Sequence, residues 1–465
     1  MLAAVDAFFL PAVPHPSVTT WTFGRGSERV EVRLPHLSWP LLERQLRALR
    51  EAQAKVATRP VRALVAAIDA VAQRFLDPTD PLRQLAERVL PPVTGYSPPM
   101  IRATLDRMAA DWRAERLEAL LVAELGDPTL LDTFRPYAGG ATHAVGPRLV
   151  VQIFSGNVPG VAVTALVRAL LVKAASLGKT ASGEPILPAL FARALAEHDP
   201  ELGAAVAVLH WPGGAEELEN RVLQAADAVV VYGGDEAVAA LRARTPPHIP
   251  FVAYGHRLSC AVVTREAAAE PAVVAAAARD VATFDQQGCV SPHVVYVEEG
   301  GAVSPAAWAA QLADALATLE VELPRGVLSP GETAAIRQIR AEAEFAQLAG
   351  TGVALYASPH STAWTVIFEP DPSFVPSCLN RVVRVKPLAR LEDLPELLRP
   401  VARWLQTIGY AGPRERFEPL APRLARSGAC RLAPLGFMAW PPPTWHHDGQ
   451  PPLRVLLRWC DWEEP

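Results

Sequence analysis

From Arg148 to Thr264 the chain alternates short apolar runs with amphipathic stretches, and this alternation restricts its fold more than any other feature. RLVVQIFSG is almost continuously apolar and ends in glycine, as a strand buried on both faces does. The following VPGVAVTALVRALLVKAASLG reads as one helical stretch. AVAVLHWPG then reads as a strand, AEELENRVLQAA as a helix, ADAVVVYGG as a strand and DEAVAALRAR as a helix, with PFVAYG and CAVVT as further strands. Parallel strands need helical crossovers, so this order predicts a doubly wound α/β sheet that binds its ligand at the strand C-termini.

The flanking sequence is different. VTTWTFGRGSERVEVRL alternates on either side of Gly24 and Gly26, which suits a hairpin. From Pro40 to Leu125 apolar residues recur three and four apart, with Pro60, Pro81, Pro91 and Pro98 as expected helix breaks. Beyond the central block come an alanine-rich helix from Pro271 to Val281, a strand VVYVE and a helix from Pro305 to Leu319. Strands AWTVIFEP and VVRVKPL, a helix up to Trp404 and a proline-rich tail complete the chain.

Half of the 465 residues are hydrophobic and a fifth are charged, enough for a large core divided among several domains. A net charge of −5 gives no electrostatic reason to bind nucleic acid or acidic membrane. The opening MLAAVDAFFLPAVPHPS lacks a basic region, and the run from Val161 to Ala175 is interrupted by Arg168 and Lys173. A cytoplasmic protein is therefore expected. Cys260, Cys289, Cys378, Cys430 and Cys460 form no CxxC pair, which predicts free thiols. His446, His447 and Asp448 in the tail have no third ligand at a recognisable spacing, so no metal is expected.

Five residues carry candidate chemistry. Cys289, in FDQQGCVSP, follows a small-residue turn and precedes a strand, a placement that can expose a thiol and tune its acidity. Asn157, in FSGNVPG, puts a side-chain amide at a strand-to-helix turn where an oxyanion donor is useful. Lys173 closes an apolar stretch, and its ammonium could meet a ribose or phosphate; Gly233 and Gly234 sit at another strand-to-helix turn. Each has an ordinary structural role as its alternative: a buried thiol, a simple βα turn, a snorkelling lysine. Their order along the chain is more telling than any one of them.

That order resembles the aldehyde dehydrogenase superfamily. Within it, GNVPG, YGGD, YGHRLS, FDQQGCVSP, LQTIG and HDGQPPLRVLLRW are similar to the long-chain acyl-CoA reductases that supply aldehyde in bacterial luminescence, the LuxC type. The resemblance implies an aldehyde-dehydrogenase-like α/β fold. It divides the chain into an N-terminal hairpin and helical region (1–135), a nucleotide-binding domain (136–268), a catalytic thiol domain (269–412) and a C-terminal segment (413–465) returning to the active-site region. It also implies Cys289 as nucleophile, Asn157 as oxyanion donor, Lys173 at the adenosine ribose, and Gly233 and Gly234 facing the pyrophosphate.

The departures from that pattern are informative. Aldehyde oxidisers of the superfamily carry a glutamate where this chain has Val252-Ala253-Tyr254-Gly255, so no carboxylate stands there to activate water. A second familiar glutamate is replaced near Ser377 and Cys378. Ser176, three residues after Lys173, replaces an acid that would hold the ribose 2′-hydroxyl; with Lys179 nearby, this favours NADPH, NADH being the alternative. His256 is a candidate for cofactor contact or proton transfer.

The implied reaction passes an acyl group from acyl-CoA or an acyl-protein thioester to Cys289 and then reduces it to the aldehyde. An acyl-activating synthetase or acyltransferase would be the supplying partner, and a homo-oligomer is expected. Two alternatives stand beside it: an aldehyde dehydrogenase working oxidatively, and a subunit that only carries acyl groups.

Overall fold

The structure is a computed structural model describing residues 3–13 and 15–463. The chain divides into two compact units. The first comprises the residues up to Thr94, Ile101–Gly255 and the residues from Pro442 onward; the second comprises Gly95–Met100 and His256–Pro441.

The first unit begins with strands β1 (Ala3–Asp6), β2 (Val18–Phe23) and β3 (Val30–Pro35). β2 and β3 form the expected antiparallel hairpin, and β1 adds parallel to β3. Helices Trp39–Val56, Val61–Leu76, Pro81–Thr94, Pro98–Asp111 and Ala114–Leu125 follow. Pro60 is an N-cap, and Pro81 and Pro98 start helices, where a missing N–H costs nothing. Pro91 is a correction to the sequence reading. It is carried with Pro92 in the last turn of Pro81–Thr94, and the chain turns away only at Gly95, with φ 79°.

Strands β4 (Arg135–Tyr137) and β5 (Gly140–Val145) form a second hairpin. Then come β6 (Leu149–Ile153), β7 (Ala175–Lys179), β8 (Val206–Leu209), β9 (Ala228–Tyr232) and β10 (Phe251–Tyr254). All five are parallel, in the order β10-β9-β6-β7-β8. β6 is central and the chain winds outward in both directions, so the topological switch lies at its C-terminal end.

The helical reading of 158–178 is half right. The helix is Val161–Leu171; the chain then turns through Lys173, at φ 60°, and returns as β7. Every residue from Ala162 to Gly178 except Thr164 is buried, so hydrophobic periodicity does not separate the two elements.

In the second unit, β11 (Leu258–Val263), β12 (Pro292–Glu298), β13 (Ala354–Ala357), β14 (Thr365–Phe368), β15 (Val382–Leu388), β16 (Leu405–Ala411) and β17 (Arg431–Pro434) form one sheet. Its order is β13-β14-β15-β12-β11-β16-β17, with only β13 and β14 antiparallel to each other. CAVVT is thus β11, near the middle of this sheet, and the boundary expected at 268 falls at Gly255 instead. Residues 413–441, assigned from sequence to the C-terminal segment, stay with this unit and supply β17.

Helices Pro271–Ala282 and Pro305–Glu322 cover one face of the sheet around fully buried Trp308; Leu391, Leu394 and Leu398 pack with Cys260 and Tyr296 on the other. The helix expected up to Trp404 is only Leu394–Leu398, with Pro395 in its first turn, followed by a 3-10 segment that starts at Arg399–Pro400. Sequence reading passed over Pro330–Leu348, a helix that buries only Ile336 and Ala343 and starts with a Ser329/Glu332 capping box. The tail returns to the first unit, where β18 (Arg458–Glu463) pairs antiparallel with β5. Among the described residues no helix is long and apolar enough to cross a membrane.

Candidate active site

In the first unit the C-terminal ends of β6, β7 and β9 carry the candidate nucleotide-binding features. After β6, the exposed Asn157 lies in the turn leading to helix Val161–Leu171, whose N-cap, Gly160, has φ 96°. Only glycine fits there, since a Cβ would stand 2.6 Å from Cγ of Met108. That helix has no acid in its first turn, which leaves its N-terminus open to an anion. Gly233 and Gly234 follow β9, and a Cβ on Gly234 would meet nothing within 4 Å. Helix Asp235–Arg244 begins with two carboxylates, so it is the poorer seat for phosphate.

Lys173 and Ser176 do not belong to this edge. Lys173 stands before β7, at the opposite end of the parallel strands. It is buried, with Nζ 2.7 Å from Asp132 Oδ1 and donating to Ala57 O at 3.3 Å. Its role is to tie the α6–β7 turn to the N-terminal helices, not to meet a ribose; here α6 denotes Val161–Leu171, the sixth long helix of the chain. Ser176 is wholly buried inside β7, between Val150 and Val206 on the neighbouring strands. Lys179 is the lysine at the C-terminal end of β7, half-buried, and burial holds its ammonium below the ordinary lysine range against the opposing effect of Glu219. The loop after it contains one carboxylate, Glu184, which is buried and accepts from the Ile186 and Leu187 amides at 2.9 and 2.7 Å. Glu184 therefore caps helix Leu187–His198 and does not point outward. A glycine-lined edge, an open helix N-terminus and a lysine fit a dinucleotide.

The tail motif around His446–Asp448 is accounted for by packing. His447 stacks between Tyr254 and Trp445, with ring centroids 4.2 and 4.6 Å away, and Tyr254 stacks on Tyr232 at 4.7 Å. Among the described residues no group of three or more His, Cys, Asp or Glu side chains could hold a metal ion.

Cys289 lies in the second unit, half-buried, at the entry to β12. Its Sγ accepts from the Gln406 amide Nε2 at 3.4 Å. Its carbonyl accepts from the Ser259 hydroxyl at 2.8 Å, and that hydroxyl oxygen accepts the Thr407 N–H at 3.1 Å. The Cys289 loop is thereby fixed to β11 and β16. In the neighbouring β17, Arg431 donates to the Met438 and Phe437 carbonyls at 2.7 and 2.8 Å. Burial lowers its pKa to about 10, opposed by the fields of Asp280 and Cys289, so a guanidinium charge acts directly on the thiol's surroundings. Asp280 is buried, pushed up to about 7, and bonded by the amides of Gly436 and Met438.

His256 is exposed and acts electrostatically on His293, whose pKa is lowered to about 4 first by burial and then by His256. The neutral His293 ring accepts the Ser377 N–H at Nδ1, 3.2 Å away, and so positions the Ser377–Cys378 turn.

The profile of the acyl-CoA reductase (LuxC) family matches residues 56–459. The chain belongs to that family. Among its relatives, the long-chain acyl-protein thioester reductase of Aliivibrio fischeri is 28% identical over 407 residues, covering 85% of this chain and 81% of that one. The protein of the same name from Vibrio harveyi is 24% identical over 380 residues, covering 80% and 76%. Aldehyde dehydrogenase 21 from Physcomitrella patens superposes with a TM-score of 0.73 at 13% identity, over 99% of this chain and 98% of that one. A Thermus 1-pyrroline-5-carboxylate dehydrogenase with bound NAD gives 0.71 at 14%, over 100% and 93%. This LuxC-family chain therefore has the aldehyde dehydrogenase fold.

Gln406, Arg431 and His293 escaped the sequence reading of this reductase-family chain. Gln406 left a usable signal: an amide in the buried strand LQTIG needs a polar partner. Arg431 left none, because only the β16–β17 pairing sets it opposite Thr407, next to Gln406.

Proposed function

We propose that the chain reduces a long-chain acyl thioester to the aldehyde, using a nicotinamide cofactor and an acyl group carried on Cys289. The observation that carries this reading is the setting of the Cys289 sulfur, to which the Gln406 amide donates, with the Arg431 guanidinium on the adjoining strand β17. Both favour a thiolate, the form that attacks a carbonyl carbon. Cys289 attacks the thioester, the C–S bond to the leaving thiol breaks, and the acyl group is transferred between sulfurs. Asn157 is the side-chain donor assigned to the oxyanion.

A nicotinamide, when bound, supplies the two-electron reduction of the acyl carbon. Lys179, Gly233 and Gly234 are the residues assigned to hold it, with Lys179 taking the place expected of Lys173. NADPH remains the favoured form for a different reason from the original one. The loop after β7 offers no outward carboxylate to a ribose 2′-hydroxyl, since Glu184 is consumed as a helix cap. Ala253 brings no base to β10, which supports reduction of the acyl-enzyme over its hydrolysis. His256 is the proton-transfer candidate. The relatives' name points to an acyl-protein thioester as donor, delivered by an acyl-activating partner, and acyl-CoA offers the same reacting group. We place the enzyme in the cytoplasm as a homo-oligomer.

The test is to supply purified protein with NADPH and either a long-chain acyl-CoA or an acyl-protein thioester, following nicotinamide absorbance and aldehyde beside Cys289→Ala. Wild-type aldehyde formation that the variant lacks is expected. No aldehyde from either thioester, or equal amounts from the variant, would overturn the reading.

A further inference from the structure

Among the described residues of the second unit, seven non-glycine residues lie in the left-handed region, six of them in two runs of three and the seventh at His360. Phe284, Asp285 and Gln286 have φ of 53°, 48° and 66°, and Leu379, Asn380 and Arg381 have 64°, 57° and 63°. In that region an L residue's Cβ crowds the following carbonyl, so consecutive examples are rare. Such strain persists only where the surroundings over-determine it, and it collects at functional sites. The first run leads through Gln287 and Gly288 straight into Cys289.

Three sets of bonds hold the run. Arg381 Nε donates to Asp285 Oδ1 at 2.9 Å and Gln287 Nε2 to Asn380 Oδ1 at 2.9 Å, tying one left-handed run to the other. Gln286 Nε2 donates to Pro292 O at 2.7 Å, closing the loop across Cys289. The third set comes from far away in sequence. The Tyr96 hydroxyl donates to Phe284 O at 3.1 Å, and the Phe284 N–H donates to Met100 Sδ at 3.4 Å. Both backbone polar groups of the first left-handed residue are thus taken by buried side chains of Gly95–Met100. Gly95 is itself pinned: its carbonyl accepts the Val327 N–H at 2.7 Å, and the adjacent Gly326 N–H donates to Asp285 Oδ2 at 3.0 Å. A Cβ on Gly326 would stand 2.2 Å from Gly95 O, so the approach requires glycine.

We infer that Gly95–Met100 is a positioning strap for the nucleophile: Tyr96 and Met100 hold Phe284 so that the left-handed turn presents the Cys289 sulfur to Gln406. This rests on the reading of Cys289 as the acyl carrier. Neither Tyr96 nor Met100 touches the sulfur in any contact described above, so both are positioning residues. Without the strap, Phe284 returns to an unstrained backbone well and carries Gly288 and Cys289 with it. Burial holds the Tyr96 phenol well above the ordinary tyrosine range, so it remains a donor across the working pH.

Tyr96→Phe removes one hydroxyl and Met100→Leu replaces only the sulfur acceptor. For wild type and both variants, the rate of Cys289 alkylation by iodoacetamide is measured against pH by peptide mass spectrometry, beside thermal melts. The midpoint is expected to move in the variants towards that of an ordinary exposed cysteine, and the neutral-pH rate to change about five-fold, the worth of one hydrogen bond. The kcat for thioester reduction should fall in step while KM stays. Merely structural residues would lower the melting temperature and leave the pH profile unmoved. Profiles superposable on wild type overturn the inference, and Met100→Leu alone decides if Tyr96→Phe does not fold. A shifted profile in a protein that reduces no thioester would sink the reductase reading and leave the strap; an unshifted one in an active reductase would do the reverse.

Discussion

Replacing Arg381 with methionine should cost the second unit about 3–5 kcal/mol of stability, the range for breaking a buried ion pair from one side. Arg381 is 1% exposed. Its Nη2 lies 2.7 Å from Asp285 Oδ1, and its Nη1 donates to Glu320 Oε2 and Leu323 O at 2.7 and 2.8 Å. Glu320 is partly exposed and regains water easily. Asp285 is 5% exposed, and without the guanidinium it keeps the Gly326 N–H and the weaker field of Arg325.

Burial already raises the Asp285 pKa above the ordinary aspartate value, with Arg381 the largest opposing influence. Removing Arg381 raises it further. A carboxyl with a raised folded-state pKa stabilises fully below its unfolded pKa and loses that contribution as pH rises through the folded one. The deficit of the variant should therefore be largest at neutral pH and shrink as the solution is acidified. With a urea slope of about 2 kcal/mol per molar, a loss near the middle of that range moves the midpoint by about 2 M. Tryptophan fluorescence reports the transition through buried Trp308 and Trp364. Asp285→Asn in the same chain removes the stranded charge, so the double variant should recover most of the loss. A single variant within about 1 kcal/mol of wild type, or one with the same deficit at both pH values, refutes this account of the Arg381–Asp285 pair.

Two further outcomes follow from other parts of the chain. Lys179→Met should weaken NADPH binding about ten-fold in a fluorescence titration, whereas Lys173→Met should leave it unchanged and lower the melting temperature instead. Glu184 and Asp280 are both pushed up to about 7 by burial, so the stability each lends is complete below its unfolded pKa and lost as pH rises through about 7. Glu184→Gln, which keeps the cap acceptor, should flatten the fall in urea midpoint between acid and neutral pH; a slope equal to wild type contradicts the assignment.

The five-stranded parallel sheet was legible because buried parallel strands are largely apolar and are followed by glycine. β6, β9 and β10 each announce themselves in this way. The same property hid β7: where helix and strand are both buried, neither periodicity survives, and Lys173 and Ser176 were misplaced along with the element that carries them. Cys289 stood out in the sequence for its small-residue turn and its place in the order of motifs. Its surroundings were not, because Gln406 and Ser259 reach it from two strands, and Arg431 stands on a third, that are paired only in the folded sheet.

The sequence by itself determined which chain segments alternate between strand and helix, which thiol follows the small-residue turn, and that no carboxylate stands at Ala253, because these are local properties of neighbouring residues. Tertiary structure alone decided which lysine stands at the C-terminal end of the parallel strands and that CAVVT joins the second sheet. It alone also decided that Tyr96 and Met100, some 190 residues upstream, hold the turn before Cys289. The physical reason is common to all three. A strand's neighbours and a strained turn's partners are set by long-range pairing and by the need to satisfy buried polar groups, and neither is encoded in local periodicity.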